Sequence, residues 1–259
     1  MTATAVLLRE AEELPVEGWD LTALGDRLRV APLPWDFDAI VARYARASPD
    51  LLDLGTGGGE WVAGLPRRPP RTVATESWPP NVTVARERLA PLGAEVVVTE
   101  PAPDNVSQEV DEQCGELPFA SGSFSLITSR HTAFVAAEVA RVLSTGGTFV
   151  TQQVGGDYGD YYEALGLPRP RAAYVDLALA RAQLEHAGLA VTDGAEGVEE
   201  TTFTDVGAVA WYLRLIPWTV DQFSIAGHYD ALVRLQERID RDGPFTARLP
   251  AFWLAADRR

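Results

Sequence analysis

The chain is poor in several groups that would signal a particular class of protein. Among 259 residues there is one cysteine, Cys114, so neither an internal disulfide nor a cysteine-based zinc site can form within it. Three histidines are the only side chains whose ordinary pKa lies near neutrality. No apolar run approaches the length of a membrane span. Residues 1–15 carry acids and no basic-then-apolar pattern, so they do not read as a secretory signal. A cytoplasmic location is the expectation. Basic residues are also in the minority, 22 against 37 acids, for a net charge of -15. A phosphate-backbone partner would want a basic face, so the expected partner is a small molecule, with no nucleic acid and no membrane. There is no internal repeat. With 46% of residues hydrophobic, the length suits one substantial core.

What stands out is Leu51-Leu52-Asp53-Leu54-Gly55-Thr56-Gly57-Gly58-Gly59-Glu60-Trp61. Residues 51–54 read as a short buried strand that ends at an acid and enters a glycine-rich turn into a helix. Glycine is required where the backbone takes positive φ or lies against a ligand. Unpaired N–H groups at a helix start can serve an anionic or nucleotide-type ligand. The dinucleotide fingerprint G-x-G-x-x-G would need a third glycine where Glu60 stands, and has no need of Asp53. That disfavours a nicotinamide-dependent oxidoreductase.

The pattern D-x-G-x-G-x-G, through Asp53, Gly55, Gly57 and Gly59, resembles motif I of the class I S-adenosylmethionine-dependent methyltransferases. A second resemblance is the run Leu117-Pro118-Phe119 followed by Gly122-Ser123-Phe124, similar to the family's "LPF…GSF" segment before its fourth strand. The family's acid five residues before that proline is Gln113 here, and its aspartate after "GSF" is Ser125. The resemblance covers roughly residues 37–195 and implies S-adenosylmethionine as cofactor. It also implies a Rossmann-like, doubly wound α/β sheet of seven strands, mostly parallel, with the last antiparallel and helices on both faces.

The remainder can be placed around these landmarks. Residues 1–34 are acidic, proline-containing and irregular, with a hint of a helix at Leu21, Leu24 and Leu28. Phe37, Ile40, Val41 and Tyr44 lie at helical spacing. Residues 1–47 form an N-terminal helical extension that either packs or closes over the ligand with Trp35 or Phe37. Thr72 to Thr75 is a second strand ending at Glu76, where an acid can accept from ribose hydroxyls, as in dinucleotide folds. Further strands are expected at 94–99, after 122, at 148–154 and from 189, with helical stripes at Val135, Val139 and Val142 and at Tyr174, Leu177, Arg181 and Leu184. Residues 200–243 form a helical insertion before a last strand at 245–256, within a single domain over 1–259.

The resemblance implies a cofactor site of Asp53, Gly55, Thr56, Gly57, Gly59, Glu76, Ser77, Gln113, Cys114 and Ser129, with Cys114 offering a backbone N–H and Ser77 or Trp78 flanking the adenine. Methyl transfer from an activated sulfonium needs mainly alignment, and a base only when the acceptor carries a proton. His131, after the fourth strand, is the candidate base, and Arg130, Gln153 and Trp218 are the candidate acceptor contacts. No metal is expected. A protein of this fold that binds the cofactor without transferring its methyl group is the alternative. The acceptor atom and the oligomeric state are not legible.

Overall fold

The computed structural model describes residues 2–16, 21–103, 115–169 and 175–259. In chain order its elements begin with α1 (Ala3–Glu13), β1 (Leu28–Val30), α2 (Phe37–Ala45), β2 (Asp50–Leu54), α3 (Glu60–Gly64), β3 (Arg71–Glu76), α4 (Pro79–Leu89) and β4 (Glu95–Val98). They continue with β5 (Phe124–Arg130), α5 (Ala136–Val142), β6 (Leu143–Val154), α6 (Gly159–Leu165), α7 (Leu177–His186), β7 (Ala190–Phe203), α8 (Val206–Leu215), α9 (Tyr229–Asp242) and β8 (Phe245–Asp257). The chain divides into two compact units. One holds residues 34–155, 174–197 and 251–259; the other holds 1–33, 156–173 and 198–250.

The first unit carries most of the sheet. Among the described residues the strand order is β1-β7-β8-β6-β5-β2-β3-β4. β3 and β5 flank β2 in parallel, β4 follows β3 in parallel, and β6 follows β5 in parallel. β8 runs antiparallel to β6. This is the α/β architecture that the family resemblance implies, with one strand more. The addition is β1, three residues paired antiparallel with the far end of β7, Leu28 opposite Phe203. Chain order reverses between β2 and its neighbours β5 and β3, and ligands of open α/β sheets bind beyond the carboxyl ends of strands at such a switch.

β2 reads as a near-continuous apolar run because both of its faces are covered. Leu52 and Leu54 pack with Ile127, Phe149 and, from α5 and α7, Val139, Val142, Ala180 and Leu184. Leu51, pointing the other way, packs with Leu126, Val150 and the α2 residues Phe37, Val41 and Ala45. Burying one such leucine stabilises by roughly 1.5–3 kcal/mol. The helical stripe at Leu177, Arg181 and Leu184 forms α7, while Tyr174 lies outside the described residues.

The second unit corrects the reading of residues 1–34 as irregular. α1 begins at Thr2, whose hydroxyl accepts from the Ala5 N–H at 3.2 Å, and buries Leu8 and Ala11. Its end is held by α8, where the Arg214 guanidinium donates to the Leu14 carbonyl at 3.1 Å and the Trp211 indole to the Pro15 carbonyl at 3.1 Å. α8 is buried on nearly every side, so no amphipathic stripe announces its partner. α8 and α9, read as an insertion, fall in the same unit as α1 and α6.

Candidate active site

The glycine loop is shaped by backbone sterics. Gly55, Gly57 and Gly59 take φ of 61°, 62° and 79°, which L side chains rarely adopt. At Gly55 a Cβ would also lie 2.5 Å from the Thr132 hydroxyl oxygen, and at Gly59 one would lie 2.9 Å from Leu89 Cγ. Both glycines are therefore required by the protein's own packing as well as by φ. The loop hangs on the end of β3: the Thr56 N–H donates to the Thr75 carbonyl at 2.8 Å, and the Gly55 N–H to the Thr75 hydroxyl at 3.2 Å. The Gly57 N–H donates to Glu76 Oε2 at 2.7 Å.

Glu76 is buried at the tip of β3. Its Oε1 accepts from the N–H groups of Ser77 at 2.9 Å and Trp78 at 2.8 Å. Two bonds fill the usual capacity of that oxygen, and Oε2 keeps one lone pair beyond its bond to Gly57. The acid thus fastens the loop and the start of α4 together, and offers one further acceptor position. Trp78 caps α4 and is 55% exposed, whereas Ser77 lines the adjoining cleft.

Asp53 is 2% exposed and accepts from the Thr128 hydroxyl at 2.8 Å across the β2–β5 pair. Burial pushes its pKa up to about 7, against the pull of the Thr128 and Thr56 hydroxyls and the Arg130 charge. Glu76 adds a smaller push in the same direction. Near neutrality the acid is poised between its two forms.

Beyond these strand ends lies a cleft partly open to solvent. Leu54, Pro101 and Phe134 give it apolar walls, and Thr75, Ser77 and Thr99 give it polar ones. Gly55 and Thr132 line it as well.

β5 delivers its last residues beside the loop, because Thr132 packs onto Gly55. His131 has φ 57°, an uncommon conformation outside glycine, and its N–H donates to the Gln152 carbonyl at 2.9 Å. Its Nε2 lies 2.8 Å from Gln152 Nε2, so the base expected at His131 is already engaged through that nitrogen. The residue reaches solvent, yet the protein mass around the ring lowers its pKa, with the Arg130 charge adding to the effect. Arg130 is exposed, with its guanidinium carbon 6.0 Å from the centre of the Trp61 ring.

Other expected contacts are placed differently. Ser129 is fully buried; its hydroxyl donates to the Thr132 carbonyl at 3.0 Å and accepts from Gln153 at 3.2 Å. Gln153 is 4% exposed, and its amide also donates to the Thr132 carbonyl at 2.9 Å and the Thr151 hydroxyl at 2.8 Å. These two side chains brace the 129–132 turn. Trp218 belongs to the other unit, where its indole donates to the Tyr158 hydroxyl at 3.2 Å. Gln113 and Cys114 lie outside the described residues. Ser125, which departs from the family pattern, sits at the opposite end of β5 from Arg130 and binds Asp50 Oδ1 through its N–H at 2.6 Å and its hydroxyl at 2.8 Å. Sequence reading missed Gln152 and Thr132 as site residues, since neither belongs to a motif.

A cleft at the carboxyl ends of a parallel sheet, beside a glycine loop tied to an acid, defines a nucleotide-cofactor protein of Rossmann-like form. Residues 52–151 match the family model of the methyltransferase domain, a match that supports an S-adenosylmethionine-dependent methyltransferase with S-adenosylmethionine as cofactor. The fold is similar to that of YcgJ of Bacillus subtilis, at 19% identity and TM-score 0.58, over 86% of this chain and 98% of that one. It is also similar to BH2331 of Bacillus halodurans C-125, at 18% identity and TM-score 0.56, over 85% and 98%. A functionally unknown protein of Deinococcus radiodurans R1 matches over 97% of this chain and 98% of its own, at 15% identity and TM-score 0.51. No curated protein matches the sequence significantly.

Proposed function

We propose that this methyltransferase acts on a small-molecule acceptor bearing an anionic group, met at the carboxyl end of β5 by Arg130 and His131. The observation that carries the reading is the packing of Thr132, the next residue in the chain, on Gly55 of the glycine loop. The net charge of -15 favours a small acceptor over a nucleic acid.

The chain's residues suit the cofactor. The apolar walls at Leu54, Pro101 and Phe134 would take a flat heterocycle, with Ser77 beside it. The remaining lone pair on Glu76 would accept from a ribose hydroxyl. Asp53, poised near neutrality, would ionise beside a cationic group. Gly55, Thr56, Gly57 and Gly59 keep the loop low enough for close approach. Cofactor roles for Gln113, Cys114 and Ser129, and acceptor roles for Gln153 and Trp218, gain no support from described contacts. The bound cofactor supplies an activated methyl group, and the protein contributes alignment and exclusion of water, an effect worth roughly 7–11 kcal/mol in favourable cases.

The test is turnover of S-adenosylmethionine by the whole chain over a panel of small carboxylates, phenols, enols and amines, with RNA and DNA as comparison arms. Product with an anionic small molecule and none with nucleic acid is expected. Methylation of nucleic acid, or of uncharged amines alone, overturns the reading.

A further inference from the structure

Two side chains in series hold the His131 ring. The Trp35 indole Nε1–H donates to Gln152 Oε1 at 2.8 Å, and Gln152 Nε2 stands 2.8 Å from His131 Nε2. An indole nitrogen donates and never accepts, so it dictates which end of the Gln152 amide faces it. The end left for the histidine is the NH2 group, which has no acceptor capacity. His131 Nε2 must then accept, and an acceptor nitrogen carries no proton. The ring proton of the neutral imidazole resides on Nδ1.

The series is rigidly built. Gln152 is 4% exposed and lies opposite Arg130 in the β5–β6 register, and its own carbonyl takes the His131 N–H at 2.9 Å. One residue therefore fixes both the ring and the unusual backbone of His131. Trp35 precedes Asp36, whose carboxylate caps α2 by accepting from the Ala39 N–H at 2.9 Å. The indole lies against Gly197 of β7, where a Cβ would come within 2.9 Å of the ring and 3.0 Å of Pro34. The protein around the ring and the Arg130 charge both favour its uncharged form.

We propose that Trp35 and Gln152 are positioning residues that lock His131 as a neutral imidazole protonated on Nδ1, so that the acceptor meets an N–H donor and not a base. The role toward the acceptor rests on the proposed function above; the tautomer does not. A donor next to the Arg130 cation selects acceptors that arrive already ionised, such as a carboxylate or an enolate or phenolate oxygen. Such an oxygen would form its bond to the methyl carbon with its own electron pair while the methyl–sulfur bond breaks and its pair leaves on the sulfur, now a neutral thioether; the oxygen has no proton to lose, so no base is needed.

Long-range 1H–15N correlation spectra of the 15N-labelled full chain at neutral pH read the tautomer directly, with His131 signals identified by their loss in His131→Gln. The expected pattern is an unprotonated Nε2 and a protonated Nδ1. Trp35→Phe removes the indole donor and lets the amide turn, so the two nitrogens should move toward a mixture. Gln152→Glu keeps the shape but accepts from both neighbours, so Nε2 should become the protonated nitrogen. A protonated Nε2 in the wild type, or an unaltered pattern in both folded variants, overturns the proposal. If the tautomer is as expected but His131→Ala turns over an anionic acceptor normally, the acceptor role falls and the tautomer stands.

Discussion

Glu76 Oε2 accepts the Gly57 N–H at 2.7 Å, which ties the tip of β3 to the glycine loop of the neighbouring strand. The other oxygen holds Ser77 and Trp78. An acid in this position is usually assigned to the ligand alone, yet here it organises three backbone N–H groups of the protein.

Glu76→Ala should therefore damage folding and binding together. A hydrogen bond to a charged group contributes about 1.5–3 kcal/mol, and three donors at a buried residue would lose theirs at once. A loss of roughly 3 kcal/mol in denaturant unfolding is expected, with cofactor affinity in the still-folded protein reduced at least ~10-fold, or about 1.4 kcal/mol. Unchanged stability would show that the three bonds carry little; unchanged calorimetric affinity would remove Glu76 from the cofactor site.

Asp53 predicts an unusual pH dependence. Its folded pKa is raised to about 7, whereas the unfolded chain titrates near ~3.9. Between those values the folded state keeps a proton that the unfolded state has released, so stability falls as pH rises from about 4 to about 7. The contribution is on the order of 4 kcal/mol across that window. Asp53→Asn should flatten this part of the stability profile and stabilise the protein above neutrality. A cation bound nearby should also expel the proton, so S-adenosylmethionine binding should tighten as pH rises through 7 and release a proton measurable by calorimetry in two buffers. An Asp53→Asn variant with the wild-type pH slope, or binding without proton release, would contradict the assignment.

The parts legible in sequence are those with a local signature. Leu51 to Gly59 announces a strand, a turn and a ligand loop because strand burial and positive φ each leave a residue-type trace. α9 is visible because Leu232, Leu235 and Ile239 line one buried face. β1 escapes because three residues carry no periodicity and their pairing with β7 is made at a distance in sequence. α8 is legible as a helix within residues 200–243, but its all-round burial hides which face meets α1, and α1 takes its stability from packing on α8. At the site, position on a strand end is legible, but side-chain direction is not. Ser129 and Gln153 lie where they are expected and spend their polar atoms on the turn. Gln152 cannot be ranked above Gln153 until their opposite faces are seen.

The contact between Gly55 and Thr132 makes a separable test of why that glycine is there. Gly55→Ala combines an unfavourable φ of 61° with a Cβ 2.5–2.9 Å from three atoms of the Thr132 side chain. Strain at such a position costs of order 1–3 kcal/mol before any clash. Adding Thr132→Gly removes all three clashing atoms but leaves the φ strain. The double variant should therefore recover part of the lost melting temperature and only part. Full recovery would mean φ is not strained, and no recovery would mean that Thr132 is not the obstacle.

Arg130 and His131 should separate in kinetics, because they act on the acceptor in different ways. Arg130 is exposed and lies beside Trp61, so its charge can gather an anionic acceptor without touching the reacting oxygen. Arg130→Gln should raise KM for that acceptor by roughly 10-fold, an effect weakened by salt, as expected for charges within about a Debye length of ~8–10 Å. His131 is fixed by Gln152 at both its ring and its N–H, so any donor it offers is already oriented. Removing one oriented donor from a reacting oxygen typically costs ~10²–10³-fold in kcat. His131→Ala should show a loss at the lower end of that range, with S-adenosylmethionine affinity within about threefold of wild type by calorimetry, or under ~0.7 kcal/mol. His131→Gln, which keeps a side-chain N–H, should regain part of the rate. Equal, small effects of both alanine and glutamine at 131, with KM unaltered at 130, would move the acceptor away from the end of β5 altogether.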